Sequence, residues 1–152
     1  MGEFFMGLLE NRILLAAVAG WFLAQAAKVV LILIMERRFV PERFFGSGGM
    51  PSSHSATVCA MASASAALYG SGSFQFAVTA IVAFIVMYDA CNVRLETGKQ
   101  AVAIKELQEL FRRMGKSLSA EEKLKELVGH TLSQVLVGGF LGILIGAAVA
   151  LI

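Results

Sequence analysis

The sequence predicts an all-α integral membrane bundle of about four transmembrane helices, with a polar amphipathic-helix segment on the cytoplasmic side. Three observations predict it. Of the 152 residues, 57% are hydrophobic and only 16% are charged, against about a quarter charged in a usual soluble domain. The mean hydropathy is +0.73. The charges are also blocked: long stretches hold almost none, and short stretches hold nearly all of them. A length of 152 residues suits one membrane domain.

A spanning helix needs about 20 apolar residues. Residues 13–35 form such a run, interrupted only by Gln25 and Lys28, and Glu36, Arg37 and Arg38 end it. A loop rich in Gly and Ser follows and reaches Pro51. The second span, 55–69, is short and built of small residues such as Ala60, Ala64 and Ala67, which let helix backbones approach closely in lipid. Gly70, Ser71, Gly72 and Ser73 make a tight turn into the third span, 74–88.

Residues 92–128 form the long polar segment. Ile104, Leu107, Phe111 and Met114 recur at helical spacing, which predicts an amphipathic helix over 101–114. Ser119 with Glu122 reads as a capping box opening a second short helix. The last span, 131–152, carries Gly138, Gly142 and Gly146, a doubled GxxxG face suited to close packing on a neighbouring helix.

Four spans bring both termini to one side. Of the 13 Lys and Arg residues, all but Arg12 and Lys28 fall in the loop after the first span or the segment after the third. The positive-inside rule then sets those connections in the cytoplasm and the termini outside. No cleavable signal is expected, because the apolar run after Arg12 is too long for a signal core. The formal net charge of +2 gives no strongly basic surface, so nucleic acid is not an expected partner. Cys59 and Cys91 lie in or beside apolar segments and read as small buried residues rather than a disulfide or metal pair.

Two polar motifs enter helices on the same face. The run Gly48-Gly49-Met50-Pro51-Ser52-Ser53-His54-Ser55 leads from a loop into the second span. A helix start offers free N–H groups and the positive end of a dipole, which suits a phosphate. Ser52 or Ser53 can cap the helix or donate to an oxyanion. The run Gly129-His130-Thr131 opens the last span. His54 and His130 are the two histidines of the chain, and two imidazoles can divide nucleophile and general-acid work. The plainer alternative is that the serines are caps and the histidines interfacial polar residues. Asp89, near the end of the third span, needs a partner at the membrane edge, and Arg94 can pair with it or clamp a phosphate. Lys28 either snorkels to the surface or points into a polar site, and Gln25 on the same face favours the site. Most remaining charges between Arg94 and Lys125 read as a solvated surface.

These residues resemble a known family. Ala24-Gln25-Ala26-Ala27-Lys28, the Gly48 to Ala56 run, Tyr88-Asp89-Ala90 with Val93-Arg94, Gly98-Lys99-Gln100-Ala101 and Leu127 to Thr131 are similar, in order, to the divergent family related to type 2 phosphatidic acid phosphatases and vanadium haloperoxidases. The resemblance implies a metal-independent, cofactor-free membrane phosphatase or phosphotransferase acting on a phosphorylated lipid-like substrate, with membrane lipid as its surroundings. It implies His130 as nucleophile, His54 as general acid, and Lys28, Ser52, Ser53 and Arg94 as phosphate ligands. Ser53 stands where the larger superfamily has Gly. Gln134 stands where that superfamily has the carboxylate that orients the nucleophile, and it can orient without neutralising; Asp89 is the candidate to supply the missing charge. Arg94 lies far upstream of the final motif rather than beside it. The chain is short of the superfamily's six-helix core, which leaves a homodimer to complete a bundle. The opposing expectation is a non-catalytic membrane protein that holds an anionic headgroup in a degenerate site.

Overall fold

The computed structural model describes residues 1–37, 49–115 and 129–152, and these are all-helical and turn. The helices are α1 (Gly2–Glu10), α2 (Arg12–Glu36), α3 (Ser53–Tyr69), α4 (Phe74–Cys91), α5 (Val93–Arg113) and α6 (Leu132–Leu151). Three stretches are long and apolar enough to cross a membrane: Arg12–Met35, Phe74–Arg113, and Leu132–Leu151. The protein is an integral membrane protein built on them.

The helices of the bundle start where the sequence supplies a cap. Asn11 accepts from the Leu14 N–H, Ser52 from that of Ser55, Ser73 from that of Phe76, and Thr131 from that of Gln134. Each side-chain oxygen satisfies a backbone donor that would otherwise be stranded at a helix end.

The short helix α3 is the axis of the bundle. It packs against α2, α4 and α6, most extensively against α6. Its buried residues are all small: Ser53, Ser55, Ala56, Val58, Ala60, Ala64 and Ser65. The glycine stripe of α6 lies directly on its backbone. A Cβ added at Gly138, Gly142 or Gly146 would run into the carbonyl oxygen of Ser52, Ala56 or Ala60, respectively. The two helices thus mesh with the same four-residue step, close enough for backbone-to-backbone contact. On the other side, a Cβ at Gly20 of α2 would lie 2.7 Å from the Ala56 oxygen. Ala16, Ala60, Ala64 and Ile145 form the apolar core beside this contact. Ser63 Oγ donates to the Ile143 carbonyl at 2.9 Å and adds one polar tie between the two helices.

Several boundaries differ from the sequence reading. Helix α3 opens at Ser53, so His54 lies in its first turn. Helix α4 continues to Cys91, and the amphipathic helix begins at Val93, with only Asn92 between them. The apolar periodicity from Ile104 onward marks only the later half of α5; its first two turns carry Arg94, Glu96 and Lys99 and gave no such stripe. Helix α1 was not expected, and it has no buried residue. The Ser119–Glu122 capping box and residues 38–48 lie outside the described residues.

The glycine contacts give a direct test. Gly142→Ala must push α6 off α3 and is expected to destabilise the protein by about 1–3 kcal/mol, the usual range for overpacking. Gly7→Ala on α1, where an added Cβ meets nothing, is expected to be near neutral. Thermal unfolding in detergent checks the pair.

Candidate functional site

The starts of α3 and α6 and the end of α4 are stitched together by their backbones. The Ser52 N–H donates to the Gln134 carbonyl at 3.1 Å, and the His130 N–H donates to the Ala90 carbonyl at 2.9 Å. Gly129 precedes His130 with a φ of 92°, and a Cβ there would collide with the backbone of Arg94 and Leu95. Only glycine both adopts that left-handed conformation easily and leaves room for α5. These contacts bring all the candidate residues to one end of the bundle.

His54 and His130 face each other edge to face, with ring centroids 5.9 Å apart and planes inclined by 67°. His130 is 2% exposed. Its Nε2, like Nδ1 of His54, is buried with no hydrogen-bond partner among the described residues. Buried polar atoms are nearly always paired, so two unpaired nitrogens on neighbouring imidazoles are an exception that calls for an explanation.

The tautomer of His130 follows from Gln134. The Gln134 Oε1 lies 3.2 Å from the Thr131 backbone N, which can only donate, so this atom is an acceptor. The same Oε1 lies 3.2 Å from His130 Nδ1. Nδ1 must therefore carry the hydrogen, and in the neutral ring Nε2 is left with a bare lone pair. Burial lowers the pKa of His130 below the ordinary imidazole value, the Gln134 hydrogen bond opposes this, and the Lys28 and His54 charges reinforce it. Gly49, near the ring but outside hydrogen-bond geometry to Nε2, also favours the charged form.

The cations of the site are held in two different ways. Lys28 is 3% exposed. Its Nζ donates to Gln25 Oε1 at 2.8 Å and to Ser53 Oγ at 3.3 Å, so it points into the bundle rather than snorkelling. Arg94 and Asp89 are 47% and 39% exposed and pair through Nε and Oδ2 at 2.6 Å. Arg94, Asp89 and Lys28 all act electrostatically on His54. Ser52 is fully buried, and its hydroxyl accepts from the N–H and the hydroxyl of Ser55. Carboxylate and imidazole are thus sorted: Asp89 meets Arg94, and Gln134 meets His130 Nδ1. Among the described residues, no group of three or more His, Cys, Asp or Glu could hold a metal ion.

All eight candidates therefore gather in one region. Gln25 belongs with them as the acceptor for Lys28 and was not among the candidates, although its position three residues before Lys28 was the available signal. The Ala90 carbonyl and Gly129, which fix the His130 backbone, carried no comparable signal.

Nitrogen-15 NMR of histidine-labelled protein tests the tautomer. At neutral pH, His130 Nε2 is expected at the shift of an unprotonated nitrogen, and Gln134→Leu is expected to remove that preference.

Comparison with known proteins bears on this region. A family model described as the Divergent PAP2 family matches residues 9–145. The uncharacterized membrane protein YuiD of Bacillus subtilis (strain 168) is 39% identical over 154 residues, covering 95% of this chain and 98% of its own. No solved structure matches the chain.

Proposed function

The chain belongs to the Divergent PAP2 family, and on that premise we propose that it is a membrane phosphatase or phosphotransferase acting on a phosphorylated lipid-like substrate through His130. The observation that carries the reading is the pair of buried, unpartnered imidazole nitrogens on facing rings. Phosphate sits between them. The bare Nε2 lone pair of His130 attacks phosphorus, forming a phosphorus–nitrogen bond as the ester oxygen leaves. Protonated His54 gives its proton to that oxygen, and water then cleaves the phosphohistidine. Lys28 and Arg94 hold the non-bridging oxygens, with Ser53 beside Lys28. Ser52 serves as the cap that aims the first turn of α3 at the same spot.

The position of the site supports a substrate drawn from the bilayer. Helix α6 has 20 residues, about 30 Å of rise, the thickness of the hydrocarbon layer. His130 lies just before its first residue, at the level where headgroups begin. Lys28 lies about 12 Å of helix rise before the end of α2 at Glu36. A phosphate attached to acyl chains reaches this depth without leaving the membrane.

In this reading α3 is a fourth crossing, shielded from lipid by its neighbours, and the site faces the cytoplasm with both termini opposite. Helix α5 then runs from the cytoplasmic surface as an amphipathic helix, with Ile104, Leu107 and Phe111 on one side and Lys105 and Arg112 on the other. A second copy is compatible with the exposed apolar side of α4, where Ile81, Phe84 and Ile85 are uncovered.

A second reading, an anionic-headgroup binder without turnover, is favoured by one observation. Gln134 at Nδ1 cannot neutralise the imidazolium that forms during attack, as a carboxylate would. Phosphate release from a short-chain lipid phosphate separates the two. The enzyme reading expects vanadate-sensitive release that His130→Ala reduces by at least about a hundredfold, within the usual range for a lost catalytic group. Equal rates in wild type and His130→Ala reject it, and saturable binding with no release supports the binder.

Sidedness has its own test. With Cys59 and Cys91 replaced by Ala, Thr97→Cys is expected to react with a membrane-impermeant maleimide from the cytoplasmic side and Ser71→Cys from the other. Labelling of both from one side contradicts four crossings.

A further inference from the structure

Resting on the phosphate-site reading, the geometry points to a coupled event: the site takes up one proton, on His54, with each tetrahedral dianion it binds. The argument begins with donors and acceptors. Every peripheral oxygen of a tetrahedral oxyanion is an acceptor. His130 Nε2 is a lone pair by the constraint Gln134 imposes on Nδ1. His54 Nδ1 is buried and faces no donor or acceptor among the described residues. An anion set between the rings therefore meets a lone pair on His130, which suits attack at the central atom. It needs a donor from the other ring, which His54 supplies from Nδ1 either as the neutral Nδ1–H tautomer or as imidazolium.

Charge counting decides between the two forms. Among the described residues, the charged side chains that act on the histidine pair are Lys28 from α2, Asp89 from α4 and Arg94 from α5. Their charges leave one positive charge in excess when both rings are neutral. A dianion then leaves one negative charge uncompensated beside the buried His130, where unpaired charge is expensive. One proton on His54 restores neutrality. In the empty site the same proton would crowd two cations, Lys28 and Arg94, without an anion between them. Asp89 thus sets the stoichiometry: its carboxylate cancels Arg94 and makes room for one proton. The consequence for the reaction is economical, because arrival of the dianion charges the group that must later protonate the leaving oxygen.

Inorganic sulfate is the probe, since it stays doubly charged near neutral pH and any proton taken up belongs to the protein. Sulfate binding to the full chain in detergent is measured by titration calorimetry at pH 7 in two buffers of different ionisation enthalpy. The expected uptake is about one proton per sulfate in wild type. It is expected to fall close to zero in His54→Gln, whose melting curve shows whether it is folded. The wild-type proton count decides the matter alone if that variant does not fold. Sulfate bound without a proton overturns this inference while leaving His130 chemistry standing. Uptake that persists in folded His54→Gln overturns it as well, because Lys28 or His130 would then be the carrier. Absence of both sulfate binding and phosphate release removes the reading beneath it.

Discussion

The contact between α3 and the glycine face of α6 is the constraint on which the rest of the molecule depends. Lipid tails are as apolar as the side chains they touch, so burying leucine gives helices little reason to associate in a bilayer. Close backbone packing supplies that reason here. Three glycines four residues apart meet three carbonyls four residues apart, at Ser52, Ala56 and Ala60. This register leaves no freedom to slide by one residue, and it fixes the start of α3 beside the start of α6. Because each start carries a histidine within two residues of its cap, the same register sets one imidazole against the other.

The polar groups then face a common problem, which is survival near hydrocarbon. Each solves it with a near neighbour on its own helix or the next. Lys28 is satisfied by Gln25 and Ser53, Arg94 by Asp89, and His130 Nδ1 by Gln134. Among the described residues, the exceptions are one nitrogen on each histidine. Leaving that pair of atoms unsatisfied carries a cost that apolar side chains filling the space would remove. The Asp89–Arg94 pair is the exposed edge of this set, and exposed ion pairs stabilise by only about 0–1 kcal/mol.

Much of this was legible in the sequence. The apolar runs predicted about four spanning helices, and three stretches are long and apolar enough to cross a membrane, while α3, with 17 residues, is not among them. The doubled GxxxG in residues 138–146 disclosed a packing face, but not that α3 is its partner, which only the structure identifies. The histidine motifs were visible as helix starts, but their distance was not, since it depends on register between segments some 75 residues apart in sequence. The inward aim of Lys28 was favoured by Gln25 and is fixed by Ser53, a contact across two helices that no local pattern carries. The division of labour between Asp89 and Gln134 was likewise open, because either side chain could chemically serve His130. Helix α1 was missed for a simpler reason: it has only nine residues, and none of them is buried.

The central claim is that two helix entrances, locked by glycine packing, hold an anion between two imidazoles. A structure determined with orthovanadate, a stand-in for phosphorus with the geometry of the transition state, tests it most directly. The account predicts vanadium within bonding distance of His130 Nε2, with His54 hydrogen-bonded to an oxygen on the anion and Lys28 and Arg94 on the others. Vanadate bound elsewhere, or a pair of histidines that part and leave the space to lipid, would contradict it.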